Sequence, residues 1–180
     1  MKRNHLIILS PITPDRVQIF KSVRLRALQD SPSAFGSTWA RESQLTDEEW
    51  INRAHRWNGD RACGFIAMDQ TLGREHDAKA ACGLVCSFLD EQDSTRAHLI
   101  SMWTAPTHRR SGLGRRLVEE VMSWARSRGA TAMELLVTSN NHAAIEFYER
   151  LGFKRTGHTE PYPNDPKLLE YDMLKMLGSN

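Results

Sequence analysis

A glycine-bearing turn rich in arginine lies between a short apolar stretch and a helical pattern. The first N–H groups of an α-helix have no partner within the helix and carry the positive end of its dipole, so an open helix start can hold an anion. Gly112 and Gly114 keep large side chains away from this start, and guanidinium groups match phosphate oxygens. The arginines around it are Arg109, Arg110, Arg115 and Arg116. The segment therefore predicts a site for a di- or triphosphate, although a solvated, arginine-rich helix start would have the same composition.

The spacing of this turn excludes two familiar phosphate motifs. No Gly-Lys-Ser/Thr follows it, so it is not a P-loop, and Leu117 stands where a dinucleotide motif would have its third glycine. A doubly wound nucleotide-binding fold is also excluded, because the early strand patterns follow one another without intervening helices.

Two motifs in order resemble the GNAT superfamily of acyl-CoA N-acyltransferases. Arg109, Gly112 and Gly114 form R-x-x-G-x-G, which resembles the acetyl-CoA pyrophosphate motif of that family, whereas Arg110 departs from the glycine that many members have there. The family's other large signature resembles Val137-x-x-x-Asn141-x-x-Ala144-Ile145-x-Phe147-Tyr148-Glu149-x-x-Gly152-Phe153. The resemblance covers nearly the whole chain and is most specific over residues 98–153.

The resemblance implies a fold and a cosubstrate. We expect one domain over residues 1–180, with an α/β (α+β) architecture: a mixed sheet of six or seven strands, with splayed central strands flanked by about four helices. The cosubstrate would be acetyl-CoA, bound by a core at about residues 98–153. Its pantetheine amides can add to a parted strand by main-chain hydrogen bonds, so Met102 and Thr104, with Trp103 between them, would act through backbone groups.

The same resemblance assigns the other cofactor contacts. It implies that Arg109, Arg110, Gly112, Gly114 and Arg115 surround the pyrophosphate. It assigns the amide of Asn141 to the cofactor as well, while Asn140 is the alternative cap for the following helix.

Acyl transfer to an amine needs a neutral nitrogen and a proton for the departing thiolate. Tyr148 falls on the family's general-acid position, and a phenol remains protonated at pH 7, although a core aromatic would show the same helical spacing. Many members place a glutamate where this chain has His98, and a mostly neutral imidazole could act as the base. A packed histidine, a water chain to Glu42 or an already deprotonated amine are the alternatives.

The loop at residues 31–37 is rich in turn-forming residues and resembles a pattern in one group of GNAT proteins, in which it walls the acceptor pocket with the first helix. In that setting Phe35, Trp39 and Glu42 become candidates for acceptor contact, and Tyr162 approaches from a late loop. The alternative is that the aromatics belong to a hinge or core and that Glu42 is solvated. Arg24 interrupts the apolar stripe of the first helix and is interpreted as surface charge with a buried stem.

Periodicity and turn signals place the elements around these residues. Predicted strands cover residues 5–9, 62–69, 80–89, 96–104, 132–137, 153–157 and 168–176, with loops at 70–77 and 160–166. Predicted helices cover residues 14–30, 46–57, 113–128 and 142–151. Three consecutive strands, the second to the fourth, are expected to be antiparallel neighbours.

Composition limits the remaining classes. The 180 residues are 40% hydrophobic, which suits one core, and 24 basic against 22 acidic residues give a net charge of +2. We therefore expect no nucleic-acid or membrane partner. The family resemblance, and not the composition, implies an acceptor that is a small-molecule or peptide amine. The odd count of three cysteines and the lack of a secretory pattern indicate the cytoplasm, and Cys82 and Cys86 are interpreted as buried packing thiols. Seven scattered histidines predict no metal site.

The resemblance to the GNAT superfamily implies that the chain is an N-acetyltransferase. The rival interpretation is a non-catalytic acyl-CoA-binding or sensing domain, which would keep the arginine-rich turn but need no acid, so the presence of Tyr148 argues against it. A homodimer is expected from family habit alone.

Overall fold

Seven strands form one mixed sheet in the computed structural model, which describes residues 6–73 and 77–178. The strands are β1 Ile7–Pro11, β2 Ala62–Asp69, β3 Ala81–Leu89, β4 Arg96–Thr104, β5 Ala132–Thr138, β6 Lys154–Tyr162 and β7 Asp165–Met176. The helices are α1 Val17–Asp30, the single turn α2 Trp39–Glu42, α3 Asp47–Arg56, α4 Leu113–Ser127 and α5 His142–Arg150. Residue 5 and residues 74–76, which belong to a predicted strand and loop, lie outside the described residues.

The order of the strands is β1-β2-β3-β4-β5-β7-β6. All neighbours are antiparallel except β4 and β5, which run parallel and pair at only three positions, the last joining His98 to Glu134. Beyond that pair the two strands part. The prediction of a mixed sheet with splayed central strands and three consecutive antiparallel strands is therefore confirmed.

A β-bulge lies in the part of β4 that has separated from β5. Cys86 on β3 lies opposite Ile100 while Leu84 lies opposite Trp103, so β4 carries one extra residue. Ser101 has a φ of 55°, in the left-handed region that few non-glycine residues adopt. Bulges re-aim backbone groups and are frequent beside functional sites.

The predicted apolar stripe of α4 is confirmed. Its buried residues are Leu113, Leu117, Val118, Val121, Met122 and Ala125, and the helix packs on β2, β3 and β4. The three cysteines are free and buried, which confirms the interpretation of Cys82 and Cys86 as packing thiols, and burial raises the pKa of both to about 12. These thiols are therefore protonated and inert at neutral pH.

Local signals placed most helix ends correctly. The predicted capping box at the start of α3 is present: the Thr46 hydroxyl accepts from the Glu49 N–H at 3.2 Å, and the Glu49 carboxylate accepts from the Thr46 N–H at 2.7 Å. Thr46 and Glu49 thus satisfy two backbone groups at the end of the helix.

The prediction of a loop at residues 160–166 was wrong. β6 continues to Tyr162 and β7 begins at Asp165, which leaves a tight turn between them. The prolines in this segment suggested a loop, but β6 is the edge strand, where a residue without an N–H is tolerated, and Pro166 is the second residue of β7.

Candidate functional site

The start of α4 has unpaired backbone donors. Gly112 caps the helix at a φ of +87°, and the first backbone hydrogen bond into the helix runs from the Arg116 N–H to the Gly112 carbonyl, at 3.2 Å. The Leu113 N–H reaches only the Ser111 hydroxyl, at 3.4 Å. Within the described chain the N–H groups of Gly114 and Arg115 make no hydrogen bond. Such an end can accept an anion.

Gly114 also has a packing role. A Cβ there would lie 3.1 Å from Cζ of Phe147 and 3.2 Å from Cε of Met102. The helix start therefore lies close to both α5 and β4, beside the point where β4 has left β5. A side chain at Gly112 would meet nothing within 4 Å, but its positive φ favours glycine.

Arg110 adopts the left-handed conformation, with a φ of 60°. Glycine reaches this region without steric cost, whereas other residues pay roughly 1–2 kcal/mol for it. The departure from the family's pattern at this position therefore strains the backbone, and the arginine remains exposed.

Arg109 is held by the end of α1. Its Nε donates to the Thr104 carbonyl at 3.1 Å, and its guanidinium forms an ion pair with Asp30. The indole N–H of the buried Trp103 donates to the same Asp30 oxygen at 2.9 Å. Burial opposes ionisation of Asp30, but hydrogen bonds from Trp103, Ser31 and Arg109 lower its pKa. The last residue of α1 thus fixes the orientation of the arginine-rich turn.

The parted half of β4 offers main-chain groups. Residues 99–104 pair with β3 on one side, and among the described residues no strand pairs with them on the other. Met102 and Thr104 lie in this half, after the bulge. An extended ligand carrying amides can bind to such an edge.

Asn141, and not Asn140, caps α5. The Asn141 side-chain oxygen accepts from the Ala144 N–H at 3.2 Å, so the Asn140 alternative was wrong. Because the cap uses only the oxygen, the Asn141 amide NH₂ remains available to another group.

Tyr148 is buried on α5, with 7% of its surface exposed. Its ring packs edge-on against Phe147 and Phe153, with centroids at 5.1 and 5.7 Å. Burial raises the pKa of the phenol above its ordinary value, which keeps it protonated at neutral pH. Within the described chain its hydroxyl makes no hydrogen bond, so that proton is uncommitted.

A cavity of about 550 Å³ opens between β4 and β5, under the loop at residues 34–36 and the β6–β7 hairpin. His98 lines it, stacks on Phe88 with centroids 4.8 Å apart, and binds Asp90 through Nε2 at 2.9 Å. Hydrogen bonds from His98 and from two backbone N–H groups lower the pKa of Asp90 to about 2. An ionised carboxylate therefore orients the imidazole, whose Nδ1 lies 3.9 Å from Glu134.

The interpretation of Arg24 as surface charge was wrong, because it is 8% exposed and lies in a buried ion-pair cluster. Arg24 binds both oxygens of Glu42, at 3.0 and 2.8 Å, and Arg53 binds one of them at 3.1 Å. Burial alone would raise the pKa of Glu42, but the hydrogen bonds and charge of Arg24 hold it below its usual range. The remaining Arg24 nitrogen donates to Ser101 in the bulge, at 3.3 Å.

The three residues predicted to contact the acceptor lie in different surroundings in the structure. Phe35 lines the cavity and lies under the Arg24 guanidinium, with 4.9 Å between the charge and the ring centre. Glu42 is 1% exposed behind Arg24, and Trp39 is 43% exposed at the start of α2. Among the described residues, neither of these two lines the cavity, and neither does Tyr148.

The loop and the hairpin that cover the cavity are joined by Tyr162. Its hydroxyl lies 2.7 Å from the Phe35 carbonyl and 3.1 Å from the Pro32 carbonyl. The Asn164 amide donates to the Phe35 carbonyl at 3.0 Å and to the Tyr162 oxygen at 3.0 Å. The cover of the cavity is therefore anchored by several polar contacts.

Sequence reasoning missed Asp30, Asp90 and Glu134, whose partners are distant in sequence. Asp90 carried one usable signal, because its side chain accepts from the N–H groups of Gln92 and Asp93 in a turn directly before the strand that holds His98. Among the described residues no group of three or more metal-ligating side chains is placed to hold an ion. None of the described helices has the length and apolarity needed to cross a membrane.

Known proteins resemble this chain over parts of their length. An uncharacterized N-acetyltransferase of Methanocaldococcus jannaschii is 38% identical over 91 residues, which are 51% of this chain and 34% of the relative. The [ribosomal protein bS18]-alanine N-acetyltransferase of Salmonella typhimurium is 38% identical over 77 residues, 43% of this chain and 49% of the relative. The chain thus spans about a third to a half of the length of these curated relatives.

Solved structures share the fold. An acetyltransferase of the GNAT family from Streptococcus pneumoniae superposes with a TM-score of 0.77 at 20% identity, covering 96% of this chain and 99% of that one. The yncA structure from Salmonella typhimurium, with its cofactor acetyl-CoA, gives a TM-score of 0.73 at 15% identity, covering 97% and 95%. At such identities the likeness concerns the fold.

The sequence profile of the acetyltransferase (GNAT) family matches residues 25–153. This match covers more than half of the 180 residues and includes α4, α5 and the parted strands. The chain therefore belongs to the acetyltransferase (GNAT) family.

Proposed function

We propose that this chain is an acetyl-CoA-dependent N-acetyltransferase that transfers the acetyl group directly, in a ternary complex, to a primary amine of a small molecule or peptide. One observation carries the proposal: the open, arginine-rich start of α4 lies beside the gap between β4 and β5, where a Cβ at Gly114 would lie 3.2 Å from Met102 and 3.1 Å from Phe147. A donor with a charged end and an amide-containing arm matches both parts of this arrangement.

The residues fit such a donor. The free N–H groups of Gly114 and Arg115, with Arg109 and Arg110, would hold the pyrophosphate, and Gly112 keeps the helix start open. The backbone of residues 102–104 and the Asn141 amide would hold the pantetheine arm. When bound, acetyl-CoA supplies an activated acetyl thioester. The yncA structure with acetyl-CoA supports this assignment, and we take residues 1–180 as one domain with its acetyl-CoA core at about 98–153.

Tyr148 is the proposed general acid. Its buried phenol is protonated and donates no hydrogen bond within the described chain, so it can deliver a proton to the departing thiolate. Because it lies on α5 next to Phe147, which contacts Gly114, it is close to the end of the proposed cofactor site.

His98 is the proposed base. It lies in the cavity, at the last pair between β4 and β5, and Asp90 fixes its ring orientation. A neutral imidazole oriented by a carboxylate can remove a proton from an incoming ammonium.

The cavity is the proposed acceptor site, with Phe35 as an apolar contact and Trp39 at its outer approach. Glu42 would act on this site through Arg24, whose charge it neutralises. A cytoplasmic location belongs to the same proposal and is supported by three buried cysteines without disulfides.

The decisive experiment combines calorimetry with thiol release. We expect saturable binding of acetyl-CoA and release of CoA thiol in the presence of at least one member of a panel of polyamines, amino acids, aminoglycosides and peptides. Binding without turnover on every amine would favour the non-catalytic acyl-CoA-binding alternative. Absence of saturable binding would remove the cofactor assignment as well.

The base assignment has its own test. We expect His98→Ala to lower the rate roughly tenfold or more and to flatten the increase of rate with pH, because the base is lost. Asp90→Asn should give a smaller loss in the same direction, since the imidazole stays but loses its orienting charge. An unchanged rate and pH profile for His98→Ala would make His98 a packing residue.

A further inference from the structure

Carboxylates dominate the charged residues around the cavity. The acidic residues that line it are Glu134, Glu160, Glu170 and Asp172. Among the described residues Arg24 is the one lysine or arginine in the lining, and its charge is already bound to Glu42. The cavity therefore has a strong excess of negative charge, although the whole chain is nearly neutral.

Strand register places these carboxylates on one face of the sheet. Glu160 on β6 lies directly opposite Glu170 on β7, and Asp172 lies opposite Leu136 on β5. Residues opposite one another in a ladder project to the same face, as do alternate residues of one strand. The acidic groups of β6 and β7 thus lie on the same face as Leu136 and, two residues before it on β5, Glu134. His98 pairs with Glu134 and therefore lies on this face as well.

Two of the four carboxylates lack a partner. Glu134 pairs with Arg96, and Asp172 accepts from the Thr156 hydroxyl at 2.6 Å. Within the described chain neither Glu160 nor Glu170 has an ion pair or a hydrogen bond to its carboxylate. Glu170 is only 9% exposed, so it is a buried, unpartnered acid that lines the cavity.

This like-charged pair is unfavourable in the absence of a ligand. Like charges directly opposite one another destabilise a sheet, and a buried carboxylate without a partner adds a desolvation cost. Burial and then the charge of Glu160 raise the pKa of Glu170, which is the expected response. A cation placed between the two acids would remove both penalties.

The rest of the cavity suits an aliphatic chain. Phe35, Phe88, Ile100 and Leu136 give its wall apolar surface. Glu170 lies opposite Thr138, at the end of β5 that borders the gap, and Glu160 lies opposite Glu170 on the next strand. The backbones of the two acids are therefore about 5 and 10 Å from that end of β5. An amine that reacts beside this end of the gap can carry a second charge to the acids through a few methylene groups.

We propose that the acceptor is a small aliphatic amine with at least two amino groups, one of which reacts in the gap while the other, as an ammonium, binds between Glu160 and Glu170. The inference rests on the proposed N-acetyltransferase function and narrows its acceptor class. In the reaction the neutral nitrogen forms a bond to the acetyl carbon, the carbon–sulfur bond breaks, and the thiolate takes up a proton as the nitrogen loses one. The second ammonium is unchanged.

The test compares 1,4-diaminobutane with butylamine, which has the same carbon chain and a single amino group. We expect kcat/KM for the diamine to exceed that for the monoamine by at least about tenfold, the scale of one charge-assisted hydrogen bond. Glu170→Gln and Glu160→Gln should each reduce this ratio towards one. Glu48→Gln removes the same charge from an exposed position on α3 and should leave the ratio as in the wild type.

Two results would overturn the inference while leaving the proposed function intact. One is an equal kcat/KM for diamine and monoamine. The other is a preference for amines that carry a carboxylate, which would point to Arg24 as the main contact. Calorimetry with the diamine alone separates the two claims, because Glu170-dependent binding without turnover on any amine would contradict the proposed function and keep the cation site.

A measurement of Tm shows whether Glu170→Gln changes the diamine preference through a folding defect. Since the pKa of Glu170 is raised in the folded protein, its ionised form is disfavoured there, and stability is lost as pH rises through the range between the unfolded and folded pKa values. We therefore expect Glu170→Gln to raise Tm slightly at pH 7.5 while it lowers the diamine preference. A fall in both quantities would indicate a structural role for Glu170 and contradict the cation site.

Discussion

The start of α4 and the cavity under the β6–β7 hairpin are opposite in charge and in construction. The helix start combines exposed arginines with backbone N–H groups from consecutive residues. The cavity collects carboxylates from three strands, and those on β6 and β7 form no ion pair within the described chain. The net charge of +2 hides this separation. Local charge, and not the total, therefore indicates which ligand belongs at which end.

The largest effect is expected from reversing the charge at the helix start. Gly112→Glu places a carboxylate among the donors, and a like charge against a phosphate costs several kcal/mol, so we expect acetyl-CoA affinity to fall about 10³-fold by calorimetry. Gly129→Glu is the matched control, because Gly129 follows α4 with a φ of +86° and an equally open surrounding. Equal losses for both variants would attribute the effect to backbone strain.

The buried ion pair next to the cavity can be tested by removing the carboxylate that binds Arg24. Glu42→Gln leaves the buried Arg24 and the partly exposed Arg53 without their shared carboxylate, and breaking a buried ion pair costs about 3 kcal/mol or more. Because the pKa of Glu42 is lowered, its contribution exists above the ordinary carboxyl pKa and is lost as pH falls through the folded value. Urea unfolding should show that the free energy of unfolding of the wild type is lower at pH 3 than at pH 7. We expect this decrease to be smaller in Glu42→Gln.

Tyr148 lies on α5 beside Phe147, which borders the start of α4, and its substitution distinguishes chemistry from binding. We expect Tyr148→Phe to lower turnover about 10²-fold, with little change in acetyl-CoA affinity or stability, because the lost hydroxyl has no hydrogen-bond partner within the described chain. Tyr171→Phe, which removes a hydroxyl from β7, is the control. Full activity in Tyr148→Phe would mean that another group protonates the thiolate.

The smallest effect is expected at Arg110. Arg110→Gly removes the backbone strain of an arginine in the left-handed conformation, but it also increases the conformational entropy of the unfolded state. We therefore expect a gain in stability below about 1 kcal/mol. Removing one exposed charge should weaken acetyl-CoA binding less than tenfold. A loss of stability in thermal unfolding would show that the arginine side chain supports the turn.

The fold was largely predictable because its signals are local. The α4 stripe, the Thr46 capping box and the three consecutive antiparallel strands follow from periodicity and turn residues, whereas the parting of the central strands was implied by the family resemblance. The prediction of a loop at residues 160–166 was wrong because prolines occur in edge strands as well as in loops. The sequence could not show which of Asn140 and Asn141 caps α5, because both are asparagines and both lie directly before the helix.

Residues of the candidate site could be named from contiguous motifs and from the family resemblance, but the side-chain partners of those residues could not. The residues of the arginine-rich turn were named from sequence, and their role as a cofactor site remains a prediction. Pairs such as Asp30 with Arg109, or Glu160 with Glu170, depend on strand register and helix packing. Arg24 was misjudged for the same reason, because its partner Glu42 lies 18 residues away on another helix.

The single point where β4 and β5 last pair has a consequence for how this protein can change over evolution. His98 and Glu134 lie at that vertex, so their position depends on the central ladder and not on any loop. The β6–β7 hairpin is attached to the sheet through β7 and to the loop at residues 31–36 through Tyr162. Substitutions in the hairpin can therefore alter which acceptor is selected without moving the vertex, so that new specificities are accessible by small steps.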